Sequence, residues 1–148
     1  DLLHHGRKFG GILCELTEHS ADAGSTAILG VGINLSLPAA LADRIDRPAT
    51  DLRSAAAGAK SAPDRTSLLA ALLVGLAAAL PRYEAQGFGA FREEWLRRHA
   101  HQGRHVSLRM DHRLIAEGEA AGVDDDGALL LRTEKGLQRI LSGEVSLR

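Results

Sequence analysis

The N-terminal third alternates short apolar runs with turn-forming residues: "DLLH", "HGRK", "GGILCEL", "ADAGST" and "AILGVGINLSL" follow in that order. Runs of this length separated by Gly, Asp and Ser clusters predict two or three β-strands joined by hairpin-like connections. Residues 38–63, which include "RIDRPATDLRSAAAGAKSAP", hold no clean period and predict a long loop with a helical turn or two. Loops of that length in compact domains usually serve as lids or binding loops when ordered. Asp64 then precedes "RTSLLAALLVGLAAAL", where it is placed to cap a helix. Leu68, Leu69, Leu72, Leu73, Leu76 and Leu80 recur there at i, i+3 or i+4 and predict a broad apolar face turned to the core. Pro81 is expected to kink or weaken this helix and Gly87 to end it. A second helix, from Phe88 or Gly89 to His99, is expected to carry Phe91 and Trp95 on one side.

From Gln102 onward the pattern changes. "RHVSLRM", "RLIAEGEAAGV", "ALLLRT", "LQRIL" and "EVSLR" are five short strand-like segments separated by "DH", "DDDG", "EKG" and "SG". Regularly spaced short strands with turn residues between them predict a small all-β barrel. About fifty residues is marginal for independent stability, so this part is expected to dock on the preceding one. The boundary is drawn near His101, giving residues 1–101 and 102–148.

Composition narrows the function classes. The 148 residues suffice for one ordinary domain, or for a smaller domain plus a very small one. Hydrophobic content of 45% and charged content of 25% fit a globular chain with a buried core. Lys+Arg of 18 against Asp+Glu of 19 leave a formal charge of -1, without the basic field that dominates nucleic-acid binding. Aromatic content of 3% also disfavours the stacking platforms of single-strand binders. Cys14 is the single cysteine, which excludes a disulfide within the chain, and its apolar neighbours predict a buried thiol. No uncharged apolar run reaches the roughly 18 residues of a membrane span, and no signal-peptide pattern opens the chain. No membrane association is expected, and the expected compartment is the cytoplasm. Because the chain starts at Asp1 in a strand-like "DLL", it reads as a piece of a longer protein.

No catalytic triad, paired-carboxylate site or metal motif stands out in the spacing. His4 and His5 are adjacent and would face opposite sides of a strand. With His99, His101, His105 and His112, they read as surface or helix-end histidines. "DDDG" at 124–127 lacks the alternation and bidentate Glu of a calcium loop and reads as a turn. "GVGIN" lacks the third glycine and following helix of a dinucleotide fingerprint. Glycine inside a strand nevertheless costs stability, so Gly10, Gly11, Gly30 and Gly32 require a reason. Gly30 and Gly32 clear one face of their strand, either as a flat floor for a ligand or for a closely packed helix, and Asn34 brings an amide to that face. Lys8, beside Gly10 and Gly11, is either a solvated hairpin lysine or a compact cation for a carboxylate or phosphate.

"DLLHHGRKFGGILCEL", "ILGVGINLSLP", "RPATDLRSA", the leucine-rich helix and "GALLLRTEKGLQRILSGEVSLR" resemble, in order and spacing, the bacterial biotin protein ligases (biotin–[acetyl-CoA-carboxylase] ligases). The resemblance covers the whole chain. It implies an α+β protein: part of a class II synthetase-like (biotin/lipoate ligase) catalytic domain followed by a small SH3-like β-barrel. It also implies activation of biotin with ATP and Mg2+ to biotinyl-5'-AMP, then transfer of biotin to a lysine of a biotin carboxyl carrier protein. The family's Lys-Trp-Pro-Asn-Asp run would end at Asp1. Its principal lysine therefore lies outside this sequence, and the 148-residue chain alone is expected not to ligate biotin. Carried over by position, Lys8 resembles the second lysine near the adenylate, Gly30, Gly32 and Ile33 the strand lining the biotin pocket, and Asn34 a nucleotide-side contact. Residues 35–53 resemble the loop that orders over the adenine, and Glu144 and Arg148 the barrel end that reaches back toward the nucleotide. Gly10 stands where relatives carry Ala or another small residue, a departure expected to change little. The resemblance leaves open a homodimer through the sheet edge, the identity of the carrier and an N-terminal repressor domain. The competing readings are a lipoate–protein-ligase-like enzyme and a non-catalytic protein-docking module.

Overall fold

The computed structural model describes residues 1–18, 25–42, 44–57, 64–110, 113–141 and 144–146. They form an α+β chain with two antiparallel sheets. Its two compact units are Asp1–Ala71 and Leu72–Arg148.

The first unit is built on β1 (Leu2–His4), β2 (Arg7–Glu18) and β3 (Ser25–Ile33), in that order across the sheet. His4 pairs with Arg7 around His5 and Gly6, whose φ values of 48° and 75° form the two-residue turn that suits a twisted hairpin. Between β2 and β3 the register runs from Gly10 opposite Ile33 to Glu18 opposite Ser25. Alternation along that ladder puts Gly11, Leu13, Gly30 and Gly32 on one face, and Ile12, Cys14, Leu16, Leu29 and Val31 on the other. The second face is apolar yet exposed, Ile12 by 54% and Leu16 by 68%. Cys14 shares that exposure, so the sequence expectation of a buried thiol is corrected.

The long connection carries the expected helical turns, α1 (Ala39–Ala42) and α2 (Leu52–Ala55). Asp51 caps α2 by accepting from the Ser54 N–H at 2.7 Å, and its second oxygen accepts from the Leu37 N–H at 2.9 Å.

Asp64 opens α3 (Arg65–Gln86) as expected, accepting from the N–H groups of Thr66 and Ser67 at 2.9 and 3.0 Å. The helix continues through Pro81 for five residues, because a proline removes only one bond from a helix of 22 residues. Gly87 stops it at φ 66°. The predicted core face is corrected too: no residue of α3 is buried, Leu68, Leu72 and Leu76 are half-buried, and Leu69, Leu73 and Leu80 are exposed. Apolar residues run around much of this helix instead of forming one stripe, so no single packing direction is selected. By length and composition alone, α3 is the one helix among the described residues that could cross a membrane.

In the second unit, α4 (Gly89–Arg98) carries the i,i+4 ion pairs Glu93–Arg97 and Glu94–Arg98. It is followed by β4 (His105–Met110), β5 (Arg113–Val123), β6 (Leu129–Thr133), β7 (Gly136–Ile140) and β8 (Glu144–Ser146). These match the five predicted segments, in the sheet order β7-β6-β5-β4-β8. Val106, Leu108, Ala120 and Leu131 form the core, against which Ala116, Leu129 and Ile140 pack. The Arg92 guanidinium donates to the Val123 carbonyl at 2.8 Å, which ties α4 to the end of β5. "DDDG" is a turn: Asp124 accepts from the N–H groups of Asp126 and Ala128 at 3.0 and 2.9 Å, and Arg139 bonds Asp124 and Asp126. Among the described residues the ladder runs from β7 to β8 without a pair closing it into a ring.

Candidate functional site

The candidate site lies in the first unit, where β2 and β3 leave two adjoining clefts of about 490 Å³ each. Lys8, Gly11 and Gly32 line both. Asp1, Ile12, Leu13, Gly30 and Val31 complete the first, and Gly10, Ile33, Asn34, Ile45, Arg47 and Ala49 complete the second.

The glycines divide into two kinds. A Cβ on Gly10 would lie 2.7 Å from the Gly32 carbonyl oxygen and 3.2 Å from the Leu2 side chain, so Gly10 is glycine because backbone approaches it. An alanine there requires a neighbour to shift, contrary to the expectation that the small residue at this position matters little. A Cβ on Gly32 would meet nothing within 4 Å, and one on Gly30 only Leu13 at ordinary contact. Among the described residues no atom lies within 4 Å of the place a Cβ on Gly32 would take.

A strap of residues 48–51 crosses beside these glycines. The Lys8 N–H donates to the Pro48 carbonyl at 2.9 Å and the Thr50 N–H donates to the Lys8 carbonyl at 2.8 Å, a short parallel bridge centred on Lys8 and Ala49. The Arg7 guanidinium donates to the Ala49 carbonyl at 3.0 Å. Asn34 contributes three bonds: its N–H to the Phe9 carbonyl, its side-chain amide to the Thr50 carbonyl at 3.2 Å, and its own carbonyl accepting from the Leu52 N–H. Its amide N–H thus anchors the strap. The Ser54 and Leu37 N–H groups, in that order of effect, hold the Asp51 carboxyl below the usual aspartate range.

Charge gathers at one edge. The Lys8 ammonium lies 2.5 Å from one Asp1 carboxylate oxygen and the Arg47 guanidinium 4.0 Å from the other. Asp1 and Arg47 are site residues that sequence reading did not select; the only local signal for Arg47 was its place before Pro48, ahead of a strap that pairing alone reveals. Of the predicted residues, Lys8, Gly30, Gly32, Ile33 and Asn34 come together here. Glu144 begins β8, where it pairs with Arg109 in the second unit, and Arg148 lies outside the described residues.

Glycines without side chains, apolar neighbours and two cations at one edge are features that suit a flat small molecule bearing an anionic group. Comparison with known proteins specifies the class. Residues 101–148 match the family "Biotin protein ligase C terminal domain". The chain is 33% identical over 148 residues to the bifunctional ligase/repressor BirA of Salmonella typhimurium, and 32% identical to BirA of Escherichia coli. In both cases all of this chain aligns with 44% of the relative. It is 32% identical over 145 residues to the biotin–[acetyl-CoA-carboxylase] ligase of Paracoccus denitrificans, covering 98% of this chain and 59% of that protein. Biotin protein ligase from Aquifex aeolicus in complex with biotin and ATP superposes with a TM-score of 0.73 at 27% identity, over 98% of this chain and 57% of that one. Over its whole length the chain is homologous to the biotin protein ligases, while spanning about half the length of the relatives it matches.

Proposed function

We propose that the protein carrying this chain is an ATP-dependent biotin–protein ligase and that the cleft between β2, β3 and the strap holds biotin and its adenylate. The observation that carries the proposal is the pairing of an unobstructed Gly32 with Lys8 at one cleft edge, within a sequence similar along its entire length to biotin ligases. Residues 1–101 belong on this reading to a class II synthetase-like catalytic domain and residues 102–148 to an SH3-like domain.

The carboxylate of biotin attacks the α-phosphorus of ATP and pyrophosphate leaves. A carrier lysine then attacks the acyl carbon, expelling AMP. Such chemistry needs alignment and charge stabilisation rather than a protein nucleophile. Gly30 and Gly32 let the flat bicyclic ring lie against backbone, and the family resemblance assigns Ile33, which lines the second cleft, to the same pocket. Lys8 offsets negative charge on the carboxylate and phosphate. Asn34 holds the strap in place and offers its amide oxygen to the nucleotide side, and the family resemblance assigns Glu144 and Arg148 to nucleotide binding as well. Mg2+ fits as an ion carried by the nucleotide: Asp1 is the one carboxylate lining the clefts, and no metal-binding cluster occurs among the described residues. The acceptor is a biotin carboxyl carrier domain, and the use of ATP suits the cytoplasm.

The test is incubation of the full-length protein with biotin, ATP, Mg2+ and a carrier domain, followed by detection of carrier biotin. Biotinylated carrier is expected from the full-length protein and none from the 148-residue chain alone. Unmodified carrier with the full-length protein contradicts the proposal.

A further inference from the structure

We propose that Arg47 and Lys8 together form the seat of the adenylate phosphate, and that the Asp1 carboxylate is the resident counter-anion which the phosphate displaces. The inference rests on the ligase reading above and assigns the chemistry of one edge of that site.

The geometry gives the seat two cations and one anion. Lys8 and Arg47 approach different oxygens of the same Asp1 carboxylate, at 2.5 and 4.0 Å. Both cations also line the second cleft, together with Gly10, Gly11 and Gly32. The Arg47 position is built rather than accidental. It immediately precedes the strap, whose Pro48, Ala49 and Thr50 carbonyls each accept a bond from β2 or Asn34.

The ion pair is also easy to exchange. The Lys8, Arg47 and Asp1 side chains are 28%, 67% and 48% exposed, so solvent already reaches the carboxylate. Ion pairs so exposed contribute little to stability, so an incoming anion loses little by replacing one. A phosphodiester-like acyl-adenylate carries the same single charge as Asp1, and its tetrahedral oxygens suit the arginine fork better than a carboxylate already bound to Lys8. Asp1 thereby keeps two like charges together before the ligand arrives and yields them afterwards.

The experiment is calorimetric titration of the full-length protein, without divalent cations, using biotinyl-5'-AMP and biotin as separate probes. The variants are Arg47→Ala, Arg47→Lys and Asp1→Asn. Arg47→Ala is expected to weaken biotinyl-5'-AMP about five-fold and leave biotin unchanged, the loss of one exposed charge contact. Arg47→Lys is expected to restore part of that loss. Asp1→Asn is expected to tighten biotinyl-5'-AMP by about three- to five-fold, because the competing anion has gone. Wild-type affinity for biotinyl-5'-AMP in Arg47→Ala, equal weakening of both probes, or weaker adenylate binding in Asp1→Asn overturns the proposal. If the wild-type protein binds both probes and the variants do not differ from it, only this inference fails. If it binds neither probe, the ligase reading fails with it.

Discussion

A Cβ on Gly10 would lie 2.7 Å from the carbonyl oxygen of Gly32, whereas a Cβ on Gly32 would meet nothing within 4 Å. Two glycines in adjacent strands therefore answer to different constraints, one to the fold and one to the space above the sheet. Gly10→Ala is expected to cost about 1–3 kcal/mol, the range for forcing volume into a packed site. Gly32→Ala is expected to stay within about 0.5 kcal/mol of wild type, since the added methyl meets no protein atom. Urea unfolding of the full-length protein distinguishes them, and biotin affinity should fall in Gly32→Ala despite its unchanged stability.

Asp51 ties the α2 cap to the backbone of Leu37, on opposite sides of the strap. Asp51→Ala is expected to destabilise by about 1 kcal/mol through loss of the cap alone. The carboxyl pKa is lowered in the folded state by the Ser54 and Leu37 N–H groups, so its contribution is complete above the unfolded aspartate value of about 4. That contribution disappears as pH falls through the folded value. An acid-unfolding series should show a smaller loss below about pH 4 in Asp51→Asn than in wild type.

His101 titrates in a different window. Its Nδ1 is buried without a hydrogen-bond partner among the described residues, and burial, then the nearby His99 and Arg104, lower its pKa. A base whose folded pKa is depressed takes up protons more readily when unfolded, so stability falls as pH drops through about 6.5 toward the folded value. Replacement by Leu should flatten the pH dependence of thermal unfolding between about pH 6.5 and 5, while leaving the acid limb due to Asp51 intact.

Cys14 lies on the exposed apolar face of β2, opposite Leu29. Its thiol is expected to react with an aromatic disulfide reagent in the 148-residue chain at the rate of a free cysteine. A protected thiol in the folded chain would contradict the exposure of that face.

The strands were legible where the information is local. Segments 104–110, 113–123, 128–133 and 137–141 alternate and end in Gly, Asp or Lys turns, and β4 to β7 appear within a residue or two of those bounds. The caps at Asp64 and Gly87 were equally local, one a side chain and the other a backbone conformation. Coverage was not legible. "LLAALLVGLAAAL" promises an apolar helix, but whether its leucines are buried depends on what packs there, and the same holds for Cys14. In the candidate site, Lys8, Gly30, Gly32, Ile33 and Asn34 were legible as residue types that strands place near one another. The strap, Arg47 and Asp1 were not, because their arrangement comes from bonds between segments some forty residues apart, such as Arg7 to Ala49. Asn34 acquired a second duty for the same reason, its amide N–H being spent on Thr50.

Titration of biotinyl-5'-AMP into the full-length protein and its Lys8→Ala variant, with lipoyl-AMP as control, tests the assignment most directly. Tight binding of the biotinyl adenylate, discrimination against lipoyl-AMP and a loss of about ten-fold or more in Lys8→Ala are expected. Binding of neither adenylate, or equal binding by wild type and Lys8→Ala, would contradict the assignment of this cleft.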